Sequence, residues 1–253
     1  MTGCRHERAS LRCYDQEVQD DSDGESRPLP DIPPTGWAVL GLLSSNESGS
    51  GYDVKKWADW SIGHFYWSPS FSQVYSEMKR LEKLGLAKSW TEKSAGERSR
   101  RLYAVTEEGH RALEEWVMTG PVDLPILKHP VLMRIWLGHL SSPDRLKAIL
   151  TDYMDQLRDL IKTAENDGEL ATIEPSWAYP RLALRWAHRH YQAELELAQD
   201  LYDEIDATYA ALTPALDENG RLIPPAPERW REVDAMARAA AEAAAATNDA
   251  APE

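Results

Sequence analysis

Between Phe71 and Arg101 eight cationic side chains (Lys79, Arg80, Lys83, Lys88, Lys93, Arg98, Arg100 and Arg101) face only four carboxylates, in a 253-residue chain whose net charge is −14. A basic island in an acidic chain is a surface with its own electrostatics, and its chemistry is the neutralisation of phosphates. Residues 71–84, placed on a helical wheel, put Phe71, Val74, Met78, Leu81 and Leu84 on one side. Ser72, Ser76, Lys79 and Lys83 fall almost opposite, flanked by Gln73 and Arg80, with Tyr75 at the border. The apolar stripe can seat on neighbouring helices while a cationic, hydrogen-bonding face points outward. Such a helix fits a DNA major groove, about 12 Å wide, with Lys and Arg on phosphates and Ser, Gln and Tyr within reach of phosphates or base edges. The bland alternative is a solvated Lys/Ser face, with Gln73 spent on capping and Tyr75 a half-buried core ring. What favours DNA is the neighbourhood: the helix leads into a basic hairpin whose turn carries Arg98 and whose second strand opens with Arg100 and Arg101. Arginines on a wing beside a cationic helix suit phosphate or minor-groove contact.

Other chemistries find little support. There is no Gly-rich phosphate loop, Gly49-Ser50-Gly51 lacks the spacing of a nucleophile elbow, and no metal-ligand helix motif occurs, so no enzyme, cofactor or metal is expected. Cys4, His6 and Cys13 do not make a four-ligand zinc set. His188 and His190 lie two apart on a helix and point away from one another, and His190 is better placed as an i,i+4 neighbour of Glu194.

The elements that must position the basic face are local and mostly helical. Trp37 to Leu43 forms a short apolar helix, ended by Ser44-Ser45-Asn46. Ser50 with Asp53, and Ser70 with Gln73, form capping boxes that start a second and a third helix, the third stopping at Gly85. Leu86 to Lys93 and Arg100 to Val105 are short strands, and Thr106 caps a further helix with Glu107 and Glu108 in its first turn. Three helices, a hairpin and a helix are the order of a winged helix-turn-helix. We place it at residues 34–119, after a disordered acidic tail, 1–33, which closes on Pro28, Pro30 and Pro33.

The ordered series Gly51-Tyr52-Asp53, then Ser70-x-x-Gln73-Val74-Tyr75-x-x-Met78-Lys79-Arg80-Leu81-Glu82-x-x-Gly85-Leu86, then Arg101-x-Tyr103-x-Val105-Thr106-x-x-Gly109, resembles the PadR family of transcriptional regulators. A weaker similarity over 125–212 extends to the helical C-terminal domain of the longer, virulence-activator-like members. The resemblance implies a homodimeric winged-helix repressor, sometimes released from DNA by a small molecule. It implies too that 70–84 is the recognition helix, with Tyr75 at the DNA face. The long acidic N-terminal tail and the Pro/Ala-rich C-terminal tail depart from the family.

The fold class expected is therefore mainly α with a small β-hairpin wing, a winged helix-turn-helix domain followed by an all-helical dimerisation and effector domain, 120–212. A Pro/Ala-rich tail, 213–253, closes the chain; it holds a linker from Leu222 to Pro227 and an Ala-rich stretch left out of the core. Ser142-Pro143 starts an amphipathic helix carrying Leu146, Ile149, Leu150, Tyr153, Leu157, Leu160 and Ile161. Residues 180–212 carry two apolar rows: Leu182, Trp186, Ala193, Leu197 and Leu201, and Leu184, Tyr191, Leu195, Tyr202 and Tyr209. Two rows call for two neighbours, one from the same chain and one from a second copy, unless a further helix such as Pro130 to Leu140 covers the second row. The expected dimer interface is Leu184, Trp186, Tyr191, Leu195 and Tyr202. Trp136, Trp177 and Trp186 could line a pocket for a small aromatic effector at that seam, or simply pack in the core.

The DNA-binding residues expected are thus Ser70, Ser72, Gln73, Tyr75, Ser76, Lys79, Arg80, Lys83, Arg98, Arg100 and Arg101, on a palindromic double-stranded operator. No run approaches the roughly 18 apolar residues of a membrane span, and the charged N-terminus lacks a signal-peptide stretch, so a cytoplasmic protein is expected. The rival reading is a winged-helix module that binds protein without specific DNA binding. The overall acidity speaks for it, and the basic island against it.

Overall fold

The computed structural model describes residues 28–92, 99–122 and 124–249. The winged unit runs α1 (Pro34–Ser44), α2 (Gly51–Trp60), α3 (Phe71–Lys83), β1 (Ala87–Glu92), β2 (Arg100–Val105) and α4 (Glu107–Thr119). Its core gathers Trp37, Val39, Leu40 and Leu43 of α1, Val54 of α2, Val74, Met78 and Leu81 of α3, and Leu86, Tyr103 and Ala112. Ile32 is buried in the same core and Leu29 packs against it, so the unit takes in residues ahead of Pro34. The rest of the acidic tail lies outside the described residues.

Each junction has a local cause. Ser50 accepts from Asp53 N–H while the Asp53 carboxylate accepts from Ser50 N–H, and Ser70 and Gln73 repeat the box at α3. α3 ends at Gly85, which takes φ +75, the left-handed conformation glycine tolerates, and Leu86 N–H returns to Leu81 O at 2.9 Å. Thr106 caps α4 through Gly109 N–H and donates its hydroxyl to Gly85 O at 2.7 Å, tying helix start to helix end. At Gly109 a Cβ would sit 2.1 Å from Leu86 O, so only glycine lets α4 pass this close to the chain leaving α3. The strands pair antiparallel from Ala87 with Val105 to Glu92 with Arg100, and Gly49 adds a bridge to Tyr103 that extends the small sheet.

After the winged unit come α5 (Pro130–Trp136), α6 (Pro143–Leu170), α7 (Ala178–Leu212) and α8 (Pro227–Asp249). α6 and α7 form a long helical hairpin, with Leu146, Leu150, Met154 and Leu157 facing Leu195, Ala198, Leu201, Tyr202 and Ile205. α5 adds Val131 and Ile135 to one end of that core. Before α8, Leu216 bridges Leu222 around a turn with Gly220 at φ +72. α8 is exposed over residues 228–241. Among the described residues no helix is long and apolar enough to cross a membrane.

Candidate nucleic-acid interface

α3 is amphipathic as its spacing predicts, and the structure refines both faces. Val74, Met78 and Leu81 are fully buried, whereas Phe71 and Leu84, at the helix ends, are half exposed. Phe71 stacks on Tyr52 instead, ring centroids 6.0 Å apart. The outward face carries Ser72, Gln73, Tyr75, Ser76, Lys79, Arg80 and Lys83, all exposed. Ser70 and Gln73 are engaged in the cap: Gln73 Oε1 accepts from Ser70 N–H at 2.8 Å and from its hydroxyl at 3.0 Å, and the Ser72 hydroxyl lies 3.0 Å from that of Ser70. Gln73 keeps its amide N–H donors for a ligand. The Tyr75 ring packs closely on Gly51, where a Cβ would come within 2.4 Å of it, and remains 41% exposed. It is thus a ring braced on one side by the start of α2 and open on the other.

One residue of α3 escaped the sequence reading. Glu77 is buried on the core side, its Oε2 near Gly36 in the first turn of α1, where the helix dipole favours a carboxylate. Arg80 Nε lies 3.2 Å from that oxygen as an ion pair, without hydrogen-bond alignment. The only sequence signal was the position of Glu77 on the wheel, about 60° from Val74.

Strand alternation sends Arg100 and Arg101 to opposite faces of the hairpin. Arg100 pairs with Glu92 directly across the ladder, Nε to Oε2 at 2.9 Å. Arg101 turns toward α3. Its Nη2 donates to both Glu82 oxygens at 2.9 Å, its Nε donates to Ser89 Oγ at 2.8 Å, and its guanidinium lies 5.4 Å from the Tyr103 ring centroid. Ser89 in turn donates to Glu82 at 2.6 Å. The Ser89 hydroxyl, and then Arg101, hold the Glu82 carboxyl below its ordinary value against an opposing desolvation effect. Arg98 lies outside the described residues.

The winged unit joins the helical hairpin through a polar contact that no sequence pattern announces. His64, in the turn after α2, places Nε2 2.9 Å from Asp167 Oδ2 of α6, both buried. The Tyr191 hydroxyl of α7 donates to His64 O, and Trp60 packs on Trp177 at 5.2 Å. Within one chain Trp136, Trp177 and Trp186 are not gathered together: Trp177 goes to Trp60, Trp186 stacks on His190 at 5.1 Å, and Trp136 is 78% exposed. Glu194 is taken by His129 at 2.6 Å and by the Tyr153 hydroxyl at 3.1 Å, in place of His190. Burial and the Glu194 charge push the Tyr153 hydroxyl well above the ordinary tyrosine value.

Of the residues named for a dimer interface, Leu184 is fully buried within its own chain, Tyr191 bonds His64 O, and Leu195 and Tyr202 pack toward α6. Trp186 is exposed, and with Leu182 and Leu197 it forms the uncovered row of α7. An open cavity of about 660 Å³ lies elsewhere, where α1, α4, the turn at 62–66 and the start of α7 meet. Trp37, Leu42, Phe65, Tyr66 and Trp116 are among its walls.

Residues 39–115 match the profile of the transcriptional regulator PadR-like family. The negative transcriptional regulator PadR of Bacillus subtilis is 33% identical over 141 residues, 55% of this chain and 76% of that protein. Its crystal structure in complex with operator DNA superposes with a TM-score of 0.59 at 21% identity, covering 68% of this chain and 98% of that one. The same protein has been solved with p-coumaric acid. The virulence activator AphA of Vibrio cholerae gives a TM-score of 0.52 at 23% identity, over 68% of this chain and 98% of that chain. These likenesses cover the winged fold and helices beyond it. The chain belongs to the PadR-like family of transcriptional regulators, winged-helix proteins that act on DNA and are not enzymes.

Proposed function

We propose that this regulator is a homodimeric repressor that reads a palindromic operator with α3 in the major groove and its wing on the flanking backbone. The observation that carries the reading is the division of α3: Val74, Met78 and Leu81 are sealed in the core, while Ser72, Gln73, Tyr75, Ser76, Lys79 and Lys83 all face outward beside a basic hairpin. A protein-binding winged helix has no need of that chemistry. B. subtilis PadR, 33% identical over 141 residues, is a negative regulator solved on operator DNA, which supports repression here.

Dimerisation is the second part of the reading. Leu182, Trp186 and Leu197 on α7, Met133 and Trp136 on α5, and Val122, Leu124 and Ile126 in the connecting segment are all exposed. Exposed apolar side chains in this number are suited to burial by a second copy across a two-fold axis. The residues beyond Thr119 up to Leu212 then serve as the dimerisation and effector domain, with 213–253 as an appendage outside it.

The third part is release by a small aromatic molecule. The cavity at the junction of α1, α4 and α7 falls in the size range of small-molecule sites, and its aromatic walls carry polar groups that include His110, Glu114 and Ser61. It touches both the winged unit and α7, so an occupant could alter how the two are set against each other. The p-coumaric acid complex of the B. subtilis relative supports an aromatic effector of this kind.

Selection of bound sequences from random duplex DNA tests the proposal. The expected result is enrichment of a palindromic or pseudo-palindromic site, with half-sites about one helical turn apart. Absence of any enriched sequence refutes it.

A further inference from the structure

The wing of this protein is held to the recognition helix by a clasp of three polar side chains. Glu82 sits in the last turn of α3, Ser89 in β1 and Arg101 in β2. All three mutual contacts are made: Arg101 to both oxygens of Glu82, Arg101 to Ser89, and Ser89 to Glu82. Tyr103, 1% exposed, supports the guanidinium from below. Ordinary surface ion pairs contribute little because two long side chains must be ordered for a weak attraction. This one has a geometry that escapes the rule: one guanidinium nitrogen spans both carboxylate oxygens, a second holds the bridging hydroxyl, and a ring lies against the guanidinium.

We propose that Arg101 is a positioning residue: clasped to Glu82 and Ser89, it sets the angle between wing and recognition helix, and it does not itself contact phosphate. The inference rests on the reading of α3 and the wing as the DNA interface. Its physical basis is donor use. Nε and Nη2 are already spent inside the protein, and strand alternation points Arg101 at α3 while Arg100 projects from the other face. A guanidinium that left Glu82 for a phosphate would leave the carboxylate in the last turn of the recognition helix without its partner, beside the phosphodiester backbone.

The two roles predict opposite effects for the same substitutions. The full-length protein is titrated, by fluorescence anisotropy over a range of salt, onto the duplex enriched by selection. Hydroxyl-radical footprints are recorded beside each titration. If Arg101 positions the wing, Glu82→Gln and Arg101→Ala each weaken binding by roughly tenfold, about 1.4 kcal/mol. The salt slope stays unchanged, and the wing footprint fades while that of α3 remains. Arg101→Lys behaves like Arg101→Ala, because an ammonium lacks the two separate nitrogens that hold Glu82 and Ser89 in a fixed geometry. If Arg101 instead contacts phosphate, Arg101→Lys keeps most of the affinity, Arg101→Ala lowers the salt slope by about one unit, and Glu82→Gln strengthens binding. Any of those three results overturns the clasp. Helicity by circular dichroism shows that each variant is folded; should Arg101→Ala not fold, Glu82→Gln and Arg101→Lys still decide. Failure of the wild-type chain to bind any duplex would refute the DNA reading itself, and is seen before a variant is made.

Discussion

α7 separates two kinds of leucine, and substituting one of each distinguishes an interface between copies from a core within the chain. Leu184 is fully buried, whereas Leu197 and Trp186 are each 58% exposed. A tryptophan side chain buries about 150–250 Å² when covered, so on the order of 100–150 Å² of Trp186 remains to be removed from water. At about 25 cal/mol per Å² that is about 3 kcal/mol per copy. A two-fold interface counts it twice, giving an upper value of about 6 kcal/mol, roughly four orders of magnitude in the dimer dissociation constant before the costs of association are met. Trp186→Glu and Leu197→Glu should therefore yield monomers that keep the helicity of the wild type. Leu184→Ala opens a void in the interior of the chain and should cost about 2–5 kcal/mol of folding stability. Leu195→Glu belongs with Leu184, because Leu195 packs toward α6. Sedimentation velocity over a concentration series, with circular dichroism on the same samples, reads both effects. If Trp186→Glu and Leu197→Glu sediment as dimers at wild-type concentrations, the exposed row is not the seam and the reasoning fails.

Four further outcomes are expected. Lys79→Ala should weaken all duplexes alike and lower the salt slope by about one unit, as measured by anisotropy on selected and scrambled DNA. Tyr75→Ala should cost about 1–3 kcal/mol on the selected site and less on scrambled DNA; equal losses would reduce the ring to a backbone contact or a packing role. Gly109→Ala drives a Cβ against Leu86 O, so its thermal melt should show a loss on the scale of backbone strain, about 1–3 kcal/mol. The raised pKa of Tyr153 means that the folded chain resists ionising it: its contribution is whole below the ordinary value of 10.0 and falls away as pH rises above it. Denaturant melts above pH 10 should show a steeper alkaline loss for the wild type than for Tyr153→Phe.

What was legible in the sequence was local or periodic. The boxes at Ser50 and Ser70, the Thr106 cap and the Ser142-Pro143 start each depend on neighbours within four residues, and each forms. The spacing of Val74, Met78 and Leu81 showed which side of α3 is buried, and the ordered motif series pointed to the family that the comparisons show. What escaped depends on partners distant in the chain. The contact of His64 with Asp167 spans 103 residues, and nothing in either stretch marks the other. The two rows of α7 were visible, but periodicity says that a face is apolar without saying what covers it. α6 took Leu195 and Tyr202, and Trp186 was left outside. Arg100 and Arg101 read as a cationic pair, yet strand alternation sends them to opposite faces and each meets a carboxylate, Glu92 or Glu82. Counting charges could not anticipate that, because the count ignores direction.

The central claim is that the exposed face of α3 and the wing grip duplex DNA through its phosphates and read its bases. A salt titration of the full-length protein on the selected duplex tests it most directly. Lys79, Lys83 and Lys88 are exposed, so a dimer of the proposed kind would neutralise about six phosphates, and log K should fall with log salt at a slope near −5. Scrambled duplex should bind orders of magnitude more weakly at the same salt. A slope near zero, or equal affinity for selected and scrambled DNA, would contradict the account.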